Sequence, residues 1–105
     1  MANMRKLEFV RSKYDFSKTL AVMANNEDGS PYGVATIYLE GQSEMLAPDE
    51  AFVNTNSWPN VDEVLIKRKL AERIDKAGES GFCVYPAMKF KLDKIRDLNA
   101  KSSPR

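Results

Sequence analysis

Histidine is absent from this 105-residue chain, and cysteine and tryptophan occur once each, as Cys83 and Trp58. Without histidine, the commonest general base near neutral pH and the commonest metal ligand are both missing. Cys83 has no imidazole to activate it. A lone thiol in an alternating segment reads as a small packed hydrophobe, and it excludes an intramolecular disulfide. There is no cysteine pair of zinc spacing, no GxxxxGK[ST] or GxGxxG phosphate loop, and no DxDxDG calcium loop. The adjacent carboxylates Glu27–Asp28, Asp49–Glu50 and Asp62–Glu63 point to opposite faces if they lie in a strand, or serve the start of a helix, and so make poor acid–base couples. Enzymatic activity, a metal and a cofactor are therefore not expected.

Long apolar runs are missing too. None approaches the roughly 20 residues that a membrane-spanning helix needs. The opening stretch MANMRKLEFVRSKYDF has no apolar segment followed by a small-residue cleavage site, so a cytoplasmic protein is the expectation. Apolar residues make up 43% and charged residues 30% of the chain, enough for one folded core without a staple. A single domain is expected over residues 1–98, with NAKSSPR (99–105) as a flexible tail.

Bases are missing from one long interval. From Ala21 to Glu63 there are eight acids and no lysine or arginine, although the net charge is only +1; the bases sit towards the two ends. One reading is that water-facing strands and turns need charge for solubility. The other is an acidic face, formed by Glu27, Asp28, Glu40, Glu44, Asp49 and Glu50, that docks on a basic protein.

Alternation predicts strands at 6–14 and 18–24, then a turn at NNEDGSPYG, where φ-tolerant and side-chain-turn residues concentrate. YGVATIYLE (32–40) predicts a central strand from its β-branched content, and AFVNT (51–55) a fourth. A main helix is predicted over 61–77, with Asn60 as N-cap, Glu63 completing a capping box, and Gly78 as the residue that ends it. Its apolar stripe would be Ile66, Leu70, Ile74 and Ala77. GFCVYPAMKFKLDKI (81–95) predicts a strand that is on an edge, bulged or ended at Pro86, followed by a short helix near Asp93. Together these predict an α+β fold: a small antiparallel sheet of four to five strands packed against one main helix.

Trp58, in the polar run NTNSWPN, is either a lid over the sheet–helix junction or a recognition anchor at the border of the acidic face. An alternative site is nucleic-acid binding, with Lys89, Lys91, Lys94 and Arg96 and the basic N-terminus contacting phosphates. A pI near 7.8 is low for that role. A purely structural domain is a third reading.

YGVATIYLE, DEAFVNTNSWP and SGFCVYPAMKFKLDKI, in that order, resemble an uncharacterised family of small proteins carried on bacterial conjugative elements, plasmids and phages. The resemblance covers about residues 32–95 and brings no activity with it. It implies a mobile-element setting, in which a small acidic-faced protein blocks a host nucleic-acid-handling defence enzyme, of the anti-CRISPR or anti-restriction type.

Overall fold

The computed structural model describes residues 6–14 and 17–98. Eight strands, β1 (Glu8–Lys13), β2 (Leu20–Asn25), β3 (Pro31–Val34), β4 (Thr36–Ile37), β5 (Glu50–Val53), β6 (Ala71–Ser80), β7 (Cys83–Phe90) and β8 (Arg96–Asp97), form two four-stranded sheets. Their orders are β3-β2-β1-β8 and β4-β5-β7-β6. The one α-helix among the described residues is α1 (Val61–Lys67). The protein is thus mostly β. This corrects the expected α+β arrangement of one sheet on a main helix, and the predicted tail at 99–105 lies outside the described residues.

The predicted central strand over 32–40 is instead two short edge strands in different sheets, and Ala35 is the corner between them. Its N–H donates to Val22 O at 2.8 Å, and its carbonyl accepts from Asn54 N at 2.8 Å. Val22 N–H turns to the hydroxyl of Thr36 at 3.1 Å, so the ladder to β2 ends where the ladder to β5 begins. A strand that changes sheets at such a corner closes a core between the two layers.

That core takes Phe9, Leu20, Val22 and Ala24 from the first sheet and Ala51, Val53, Met88 and Phe90 from the second, with Val61 and Leu65 of α1. Leu39, Phe52, Tyr85 and Ala87 form a smaller cluster. The alternation of Ala51 and Val53 against Phe52 divides β5 between the two.

The helix predicted over 61–77 stops ten residues early. Leu70 N–H bonds back to Leu65 O and Lys69 N–H to Ile66 O, both at 2.9 Å, while Lys69 has φ +61°. These are the paired bonds and left-handed residue of a Schellman ending, with lysine where glycine is usual. At the other end Asn60 also has positive φ and makes no side-chain capping bond, so the predicted capping box is not formed. Residues 71–80 pair along β7, from Ala71 opposite Phe90 to Ser80 opposite Cys83. The expected stripe misled because its spacing of four, from Ile66 through Leu70 to Ile74, satisfies a period of 3.6 and a period of 2 alike. Val61 and Leu65 are the helical residues that are fully buried, and Ile66 is exposed.

Gly78 consequently lies inside β6. A Cβ there would stand 2.7 Å from a Leu39 methyl and 2.8 Å from the Phe52 ring, so glycine is needed for close approach. β7 is an inner strand that continues through Pro86, which corrects the expected edge, bulge or end there; Pro86 pairs with Ala77 beside a register shift whose extra residues lie in β6, between Arg73 and Ala77. β6 is an edge strand, and its outer rim is occupied. The Gln42 side chain donates to Glu79 O at 2.9 Å and accepts from Glu79 N at 3.0 Å, which imitates a neighbouring strand and blocks pairing with another chain.

The expected short C-terminal helix is a three-residue 3-10 turn, Leu92–Lys94, and β8 then runs parallel to β1. Arg11 Nε donates to Leu92 O at 3.1 Å and Ile95 O at 2.9 Å, and Arg11 Nη1 to Asp97 at 3.3 Å. Ile95 O, on a buried residue, thus gains a donor, while Leu92 O is shared with the Ile95 N–H at 3.2 Å.

Two substitutions check this account by urea unfolding. Lys69→Gly removes the cost of a left-handed side-chain residue and is expected to stabilise the protein by about 1 kcal/mol. Gly78→Ala is expected to destabilise it by about 1–3 kcal/mol through overpacking.

Candidate functional site

The sequence around Trp58 folds into a short polar excursion between β5 and α1, held by a succession of backbone bonds. Asn54 N–H reaches Ala35 O, Trp58 N–H reaches Asn54 O at 3.0 Å, and Val61 N–H reaches Trp58 O at 3.1 Å. This succession delivers the indole onto a cross-strand row of the first sheet, where Phe9 pairs with Ala24 and Ala24 with Gly33. The indole stacks on Phe9 with ring centroids 6.0 Å apart and planes 12° from parallel. At the far end of the row it lies over Gly33, where an added Cβ would be 3.4 Å from the ring. The small residues Ala24 and Gly33 leave the space that a large aromatic fills. Phe9 also carries the Arg68 guanidinium 5.3 Å from its centroid, a cation–π contact.

Trp58 is therefore a lid on the core, and only half-buried. Its outer side walls a cleft of about 480 Å³ lined by Tyr32, Gly33, Val34, Asn54, Ser57 and Pro59. Tyr32 meets the indole edge-on at 5.2 Å. Tyr32 and Val34, 42% and 45% exposed, stand on β3, the outermost strand of its sheet. Asn54 Nδ2 donates to Val34 O at 3.5 Å, and Asn54 Oδ1 is buried without a hydrogen-bond partner.

The predicted acidic residues fall in three segments. Glu27 and Asp28 lie in the turn between β2 and β3, where Asp28 accepts from Ser30 N at 2.9 Å and Ser30 Oγ at 2.6 Å. Glu40 and Glu44 lie between β4 and β5. Glu44 accepts from the Tyr38 hydroxyl and from Gly41 N, and this bond pushes the Tyr38 phenol up to about 12. Asp49 and Glu50 lie at the start of β5 and face Lys89 at 4.0 Å and Lys76 at 3.0 Å. Glu27 meets Lys6 at 3.9 Å. Bases from outside the acidic interval thus reach three of the six predicted acids. Of the alternative cationic set, Lys89 is in one of these pairs, Arg96 forks onto Glu8 at 2.8 and 3.3 Å, and Lys91 and Lys94 flank the 3-10 turn.

Sequence reasoning singled out Trp58 but missed Val34 and Asn54. The legible clue was Gly33 inside an otherwise alternating strand, which marks a close approach by another group. Cys83 is half-buried in β7. Among the described residues no group of histidine, cysteine and carboxylates has metal-site geometry, and no helix is long and apolar enough to cross a membrane.

Two four-stranded sheets with an aromatic cleft beside an edge strand describe a small β domain. The model of a domain of unknown function, DUF4313, matches residues 6–103, and the chain belongs to that family. No curated protein and no solved structure matches the chain.

The ion pairs set a pH dependence. Glu50 accepts from Ala47 N and from Lys76, and these bonds hold its carboxyl below the usual 4.5. Its contribution is complete above 4.5 and is lost as pH falls through the lower folded value. Urea midpoints at pH 6 and pH 3 should show the wild type losing stability on acidification, and Glu50→Gln losing less.

Proposed function

We propose that this protein is a non-enzymatic binding module that engages another protein through the Trp58 cleft and the exposed edge of β3. The observation that carries the reading is the aromatic cleft walled by Trp58 and Tyr32 beside β3, an edge strand that no other strand covers among the described residues. Interfaces place their anchors in such settings: a few polar groups that fix orientation, within apolar surface that excludes water. The cleft, more than the dispersed carboxylates, is the centre of this surface, and Glu27 and Asp28 lie at its margin in the turn that leads into β3.

In the mobile-element setting that the resemblance implies, the partner is a cytoplasmic host protein with a basic surface, such as a defence enzyme acting on nucleic acid. The nucleic-acid reading has less support, because a pI near 7.8 is low for a nucleic-acid binder and the carboxylates of Glu8 and Asp49 beside Arg96 and Lys89 lower the local positive potential.

Affinity purification from the native host at low salt, with and without nuclease, tests the reading. The captured protein should survive nuclease, and Val34→Arg should reduce its recovery at least about ten-fold, a loss of roughly 1.4 kcal/mol. A partner recovered equally by Val34→Arg, or lost on nuclease treatment, would falsify it.

A further inference from the structure

We infer that the occupant of the cleft is an extended, basic segment of another protein, added as a strand along the outer edge of β3. The inference rests on the reading above that the cleft binds protein, and it specifies the partner's conformation and charge.

The backbone gives the conformation. Ala35 N–H bonds to Val22 O and Gly33 stands opposite Ala24. Bonding alternates along an antiparallel ladder, so Gly33 and Ala35 turn their N–H groups towards β2, and Val34 turns its own outward. The Asn54 contact to Val34 O lies on that outer side. No strand flanks β3 there among the described residues. By contrast, the rim of β6 is closed by Gln42 at Glu79. The β6 rim is thus plugged at Glu79 through both its N–H and its carbonyl, while on the β3 rim a side chain takes only the Val34 carbonyl and leaves the Val34 N–H for an added strand.

Chemistry gives the charge. Every residue that lines the cleft falls within the interval that has no lysine or arginine. Glu27 and Asp28 lie in the turn that enters β3, and Glu27's one base, Lys6, is 3.9 Å away with both side chains largely exposed, so that pair is readily exchanged. A lysine or arginine on the incoming strand meets two acids whose one base among the described residues, Lys6, is exposed and exchangeable. A second copy of this chain offers the same acidic margin and no base to it, which disfavours self-association at this edge.

The experiment is selection of random linear peptides displayed against the immobilised full-length protein at low salt. The best binders are then synthesised and scanned by single backbone N-methylation, which removes one N–H at a time. Enrichment in lysine and arginine is expected, with affinity falling at least about ten-fold when alternate positions are methylated and little at the intervening ones. Binding should weaken with added salt and fall with Asn54→Leu and with Val34→Arg. Peptides that need Asn54 and Val34 but show no alternation, or carry no excess of bases, overturn this inference and leave the cleft as a protein-binding site. Peptides indifferent to both substitutions, or no selected peptide at all, overturn both. Sedimentation showing a dimer that Val34→Arg dissociates overturns it in favour of a second copy.

Discussion

The peptide group that follows Val34 decides where most of this molecule goes. With its donor given to β2 and the next acceptor along given to Asn54, Ala35 belongs to both layers at once. The backbone cannot serve two ladders without turning, and this turn separates β3 from β4. It also fixes Asn54, from which the bond to Trp58 and then to Val61 determines where the indole lies and where α1 begins. A buried alanine suffices at the corner because the constraint is carried by main-chain groups, which must be paired wherever water is excluded.

Trp58 then has two duties. Flat against Phe9 and Gly33, it seals the open end of the core between the sheets, and burial of so large a ring contributes on the order of 2–3 kcal/mol. Its other edge faces Tyr32 across a space that the core does not fill. Lid and anchor are opposite sides of one ring, and Gly33 permits the arrangement by leaving the indole room to approach the strand.

Local chemistry was legible in the sequence, and partnership was not. The strands at 8–13 and 20–25 and the turn rich in Asn, Asp and Gly follow from residue types acting over a few positions. The helix that was expected to continue to residue 77 fails for a long-range reason: β7 offers Ala71–Ser80 a full ladder, and lysine at position 69 accepts a left-handed conformation that a reader assigns to glycine. The division of 32–40 depends on Asn54, and no property of 32–40 alone reveals it. Trp58 and the run that contains it were legible as a candidate site; Asn54 and Val34 were not, because an unmet acceptor is a statement about surroundings. The acidic interval is real in sequence, yet Lys6, Lys76 and Lys89, drawn from distant segments, reach into it.

The parallel junction of β8 with β1 bears on the order of assembly. Val10 meets Arg96 and Arg11 meets Asp97, contacts between segments far apart in sequence, whereas β1 with β2 and β6 with β7 are hairpin neighbours. Closing so large a loop carries an entropic cost that local hairpins avoid. The first sheet is therefore expected to close after its hairpins have formed, and until β8 arrives Arg11 has no carbonyls to clasp.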